Sequence, residues 1–163
     1  MKKTNLILGI ALSIVAVSCS NKALDYNNKI VKYDNDIAPI IEKLNSIVLS
    51  EDTTAAAATM YGTQLDSLTK VTETKLSEIN KMEVPKGGEK MHNTFVKEYE
   101  VVISMCKNMA TLIDRNKATP EDKLAAKDAF DKTQESTTAL VEEMKAEQLA
   151  FAKANNFKLE KEK

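Results

Sequence analysis

The chain holds one histidine, no tryptophan, two cysteines, three prolines and four glycines in 163 residues. Each scarcity excludes something. With His92 as the sole imidazole, a Ser–His–acid arrangement has a single candidate base. The sequence also lacks a Gly-x-Ser-x-Gly elbow and any strand–turn–helix context to present a nucleophile. Haem attachment through Cys-x-x-Cys-His has no motif. Two cysteines, Cys19 and Cys106, make no disulfide framework. Basic and acidic residues, 23 against 24, are interspersed and form no phosphate-neutralising stripe, so nucleic acid is set aside as a partner. The uncharged apolar run over residues 6–17 is shorter than the roughly 20 residues that cross a bilayer.

What is present is helical periodicity on a composition rich in Ala, Glu, Lys, Leu and Met. Tyr26, Ile30, Tyr33, Ile37, Ile40, Leu44 and Ile47 recur at alternating spacings of four and three, predicting a first helix over 24–49. Pro39 lies inside it and removes the bond to the Asn35 carbonyl. Because Ile37 and Ile40 stay in phase with Ile30 and Tyr33, a kinked continuous helix is favoured over a break with Asp36 as a new cap. Residues 50–54 are polar and rich in N-cap formers. A second helix then runs to about Glu83 on Tyr61, Leu65, Leu68, Thr72, Leu76, Ile79 and Met82.

Pro85, Gly87 and Gly88 mark the clearest stop. The third helix, ending near Arg115, carries Met91, Phe95, Tyr99, Val102, Cys106, Met109 and Leu112. Val96, Val101, Ile103 and Met105 widen that face, so it is expected to be the most buried helix. Thr119, Pro120, Glu121 and Asp122 form a strong helix start. The fourth helix follows Ala126, Phe130, Thr133, Thr137, Leu140, Met144 and Phe151 to about Asn155, before a charged tail over 156–163 that should fray. Short connections between long helices predict an all-α, antiparallel up-down-up-down four-helix bundle over 24–155. That topology gathers the N-terminal tether, the turn at 84–88 and the C-terminus at one end.

Four groups of residues invite a chemical reading. Glu89 and His92 have the Glu-x-x-His spacing of di-metal bundles, but one histidine cannot supply the second pair. His92 is instead expected to be partly exposed and bonded to backbone near Pro85. Met105, Cys106 and Met109 place soft sulfurs on one face, suited to Cu(I) or, more simply, to filling the core. Thr72, Thr133 and Thr137 replace Leu on the seams and should bond the carbonyl four residues back; a thin polar cavity is the alternative. Glu42, Glu73, Glu78, Glu98, Glu100, Glu142 and Glu143 follow the spacing of solvated helix faces. No catalytic residue, metal or cofactor is expected.

At the N-terminus, Lys2 and Lys3 precede the apolar run, and small residues close it, as in a secretory signal. Ala16, Val17, Ser18 and Cys19 resemble a bacterial lipobox, with Ala16 standing where Leu is usual. The resemblance covers residues 1–19 and implies cleavage between Ser18 and Cys19, diacylglycerol on the Cys19 thiol, and a tether over 19–23. Cleavage at the same bond by an ordinary signal peptidase is the alternative. Removing residues 1–18 leaves 145 residues and moves the formal net charge from −1 to about −3. Ser20 after the cysteine resembles the outer-membrane class of such lipoproteins, and the single nearby acid, Asp25, favours the periplasmic face over surface export. The chain thus resembles Gram-negative lipoproteins with all-helical mature domains. The expectation is a membrane-anchored interaction or scaffold module with a protein partner and no enzymatic activity. The alternative is a carrier of a small apolar ligand or soft metal.

Overall fold

The computed structural model describes residues 22–50, 52, 54–114 and 118–159. Four helices account for most of them: α1 (Lys22–Val48), α2 (Ala55–Ile79), α3 (Glu89–Ile113) and α4 (Pro120–Ala154). They form an antiparallel four-helix bundle. Ser18, Cys19 and the rest of the expected leader lie outside the described residues.

Helix ends follow local chemistry. Thr54, extended at ψ 157°, accepts the Ala57 N–H and starts α2. Thr119 and Asp122 make a reciprocal capping box, with Pro120 opening α4. The second helix is shorter than its periodicity predicts, ending at Ile79 instead of Glu83. Beyond Asn80, Lys81 and Met82 donate to carbonyls only three residues back, so the chain tightens out of the helix before Pro85. Helix α3 stops at Ile113 because Asp114 turns extended, ψ 118°; the expected end at Arg115 lies outside the described residues. The fraying expected from residue 156 does not apply to Asn156 and Phe157, and residues 160–163 lie outside the described residues. Asn156 adopts φ 58°, Phe157 donates to the Ala152 carbonyl at 3.1 Å, and Asn156 donates to Lys153 at 3.3 Å. That is a Schellman closure, and the Phe157 ring packs on Phe151 with centroids 5.8 Å apart.

Pro39 does not break α1, which continues through it. Asp36, freed from a capping role, binds Lys75 of α2 at 2.6 Å. Every predicted α1 seam residue is buried except Tyr33, which is half-buried. Helix α3 packs most closely against α2 and α4, and α1 touches all three. Helices α1 and α3 each bury ten residues, so α1 shares with α3 the depth expected of α3 alone. By contrast α2 buries only Ala57, Leu65, Thr72 and Ile79, the last three at strict seven-residue spacing.

Register is visible in cross-helix bonds. Tyr26 Oη lies 2.8 Å from His92 Nδ1, and Tyr99 Oη donates to the Tyr33 carbonyl at 2.7 Å. Both pairs are separated by 66 residues, so α1 and α3 run parallel with no slip over two turns. Antiparallel neighbours are held by Tyr33–Glu78, Lys107–Glu73 and Gln148–Asn27.

At the end where α1 begins, Gly87 has φ +83°, and a Cβ on Gly88 would meet the Pro85 carbonyl at 3.1 Å and the Phe151 ring at 3.2 Å. Gly88→Ala should therefore destabilise by about 1–3 kcal/mol through overpacking, and Gly87→Ala by about 1 kcal/mol through the left-handed backbone. Gly62, inside α2 with open space around its Cβ position, should show the opposite sign. Gly62→Ala is expected to stabilise by roughly 0.5–1 kcal/mol in urea unfolding.

Candidate functional site

The most unusual chemistry is a buried polar stripe where α1, α3 and α4 meet. Its members occupy heptad positions beside the apolar seams: Asn27 and Asp34 on α1, Glu98 on α3 and Gln148 on α4. Asn27 is fully buried and Gln148 is 2% exposed; Gln148 Nε2 donates to Asn27 Oδ1 at 3.1 Å. The Asn27 Nδ2 group has no hydrogen-bond partner among the described residues. One turn along α3 from Met91, Thr94 donates to Glu143 Oε1 at 3.2 Å.

Glu98 overturns the sequence reading. Expected on a solvated face, it is 2% exposed, and its Oε2 has no hydrogen-bond partner among the described residues. The reason is its position: seven residues after Met91 and seven before Met105, both fully enclosed, it sits on the widened apolar face of α3. Burial, and second the nearby Asp34 carboxylate, push its pKa from 4.5 up to about 8. At neutral pH it is mainly a neutral acid, able to donate an O–H. Asp34 is itself only 8% exposed. A general acid must reach its substrate; a carboxyl enclosed to this degree acts on the fold instead.

His92 is half-buried at the end where α1 starts, but its side chain pairs with the Tyr26 hydroxyl and not with backbone near Pro85. The difference arises because Tyr26, 3% exposed, must satisfy its hydroxyl inside the bundle. Burial lowers the His92 pKa below its ordinary 6.5. Glu89, three residues before it, is exposed, and the His92 Nδ1 is engaged by the Tyr26 hydroxyl. Among the described residues, no three His, Cys, Asp or Glu side chains are grouped to hold a metal ion.

The sulfurs lie in the core. Met105 and Cys106 are fully enclosed and Met109 is 9% exposed. Burial pushes the Cys106 thiol up to about 11, with a hydrogen bond to Thr69 pulling slightly the other way. The thiol, not the thiolate a soft metal prefers, is the resting form. The seam threonines are satisfied within their own helices: Thr72 donates to Leu68, Thr133 to Ala129 and Thr137 to Thr133, at 2.7–2.9 Å.

No described helix is long and apolar enough to cross a membrane. Comparison with protein-family models, curated proteins and solved structures finds no match to the chain.

Two outcomes are expected. Because its pKa is raised in the fold, Glu98 favours folding most below about pH 4.5, where it is protonated in both states. That contribution is lost as pH rises, by up to about 1.4 kcal/mol per unit, and levels off once the folded pKa near 8 is passed. His92 acts with the opposite sign and only at lower pH, its contribution fading as pH falls below about 6.5. Urea titrations of Glu98→Gln should show a flatter profile from about pH 6 to 8.5 than the parent chain. In the native protein, iodoacetamide should leave Cys106 unmodified at neutral pH and label it once urea opens the core, as read by peptide mass.

Proposed function

We propose that the chain is a lipid-anchored envelope protein whose bundle serves as a non-enzymatic interaction or scaffold module. Cleavage between Ser18 and Cys19 and acylation of Cys19 attach it to the periplasmic face of an outer membrane. The observation that carries the reading is the charged, apolar, small-residue succession of residues 1–19 ending in Ala16, Val17, Ser18 and Cys19. Two features of the bundle support it. The chain is already helical at Lys22, the first described residue, which lies only three positions after Cys19 in the sequence. At the opposite end, Leu49, Met60 and Leu124 are exposed large apolar side chains near the helix tips, where a protein partner would meet the anchored bundle.

Anchoring needs more than one acyl chain, because a single chain holds only marginally. A carrier role for a soft metal or apolar ligand has weaker support, since the sulfurs and seam threonines are already engaged in packing and intrahelical bonds.

Intact mass spectrometry of membrane-extracted protein tests the anchor. The expected mass begins at Cys19 and carries diacylglyceryl and acyl additions, and Cys19→Ala should abolish them. A mature chain starting at Cys19 with no lipid would instead establish ordinary signal cleavage and sink the anchor. Retention of a stoichiometric protein during gentle purification, weakened by Leu124→Asp or Met60→Asp, is the expected sign of the interaction role.

A further inference from the structure

We propose that the end of the bundle bearing the 80–88 turn is an electrostatic docking face for an anionic lipid surface, so that the anchored protein stands upright with α1 and α3 starting at the membrane. The inference rests on the Cys19 anchor proposed above and adds an orientation and a lipid class.

Three separate chain segments converge there. Tyr26 near the start of α1 contacts the His92 ring near the start of α3 and the Phe151 ring near the end of α4, with centroids 6.2 and 5.8 Å apart. Lys22 reaches Glu83 of the intervening turn at 3.6 Å. This convergence gathers lysines that are scattered in sequence. Lys22, Lys81, Lys86, Lys90, Lys153 and Lys158 are all exposed at this one end. Against these six, the same residue spans hold three carboxylates, Asp25, Glu83 and Glu89. The opposite tips carry both signs, with Asp52, Glu121 and Asp122 exposed alongside Lys43 and Lys127 and with Lys123 half-buried, so lysines hold no excess there. A chain whose total charge is nearly balanced is thus polarised along its long axis, positive toward the anchor.

Distance makes the polarity matter. A negative lipid surface attracts lysines only within about one Debye length, roughly 8 Å at physiological ionic strength. Lys22 lies three positions after Cys19 in the sequence, a span of at most about 11 Å. An acylated Cys19 therefore holds the basic end inside the reach of the surface potential. Lysine suits this contact, because its long stem lets the ammonium move to the headgroup without disturbing the packing behind it.

The test uses the full acylated protein reconstituted into phosphatidylcholine vesicles with or without about one-third phosphatidylglycerol. Lysine acetylation by a soluble ester is read residue by residue, with Lys43, Lys123, Lys127 and Lys132 in the far half of the bundle as internal references. Lys22, Lys81, Lys86, Lys90 and Lys153 are expected to label several-fold more slowly in the anionic vesicles than in the neutral ones, with the difference lost at high salt. Substituting Lys81→Gln, Lys86→Gln and Lys90→Gln together should remove the anionic-lipid dependence at Lys22 and Lys153. The same substitutions at Lys123, Lys127 and Lys132 should leave it. Equal labelling of both ends, or protection that ignores lipid charge, would overturn the docking face while the acyl mass still upholds the anchor. A chain without acyl mass would overturn the anchor and the upright orientation with it.

Discussion

Two hydrogen bonds set α1 over α3, and the arrangement of the bundle depends on them. Tyr26 meets His92 and Tyr99 meets the Tyr33 carbonyl at the same 66-residue offset. An apolar seam alone specifies register weakly, since isoleucines one turn apart present similar surfaces. A slip by one turn, about 5.4 Å, would strand buried hydroxyls without partners, at a cost of roughly 1–3 kcal/mol each. The tyrosines therefore discriminate between packings whose hydrophobic contacts are nearly alike.

The buried polar stripe extends the same logic with a penalty built in. Gln148 and Asn27 tie α4 to α1, but Asn27 Nδ2 and Glu98 Oε2 find no hydrogen-bond partner among the described residues. Glu98 lessens its penalty by keeping a proton, which its enclosure beside Asp34 enforces. Stability is thereby tied to pH through one side chain. A leucine at position 98 would lie more comfortably on the face shared with Met91 and Met105, so the buried carboxyl carries a cost in stability.

Polarity along the long axis is the feature with functional reach. Topology collects the start of α1, the 80–88 turn and the end of α4 on one end, and Gly88 permits the close approach of Phe151 that seals it. The Schellman closure then folds Phe157 back on the same cluster. An aromatic, lysine-rimmed end next to the proposed anchor and exposed apolar side chains at the tips away from it suit a module that presents itself outward from a surface.

Much of the fold was legible in the residues. Seams with three-and-four spacing, Thr119–Pro120 at a helix start, glycines and Pro85 at a stop, and short connections lead to an all-α antiparallel bundle on local chemistry alone. The threonine back-bonds and the buried Cys106 were legible for the same reason: each depends on its own helix and its seam position. The end of α2 was not, because Met82 keeps the apolar spacing while the backbone has already tightened after Asn80. Nor was Glu98, whose charge argues for solvent; only its placement beside Asp34 of α1 in the assembled bundle shows that it is enclosed. Periodicity reports which face of one helix is apolar. Which polar group on the edge of that face becomes trapped, and which scattered lysines share an end, depends on how the helices are placed against each other, and that is a property of the assembled bundle.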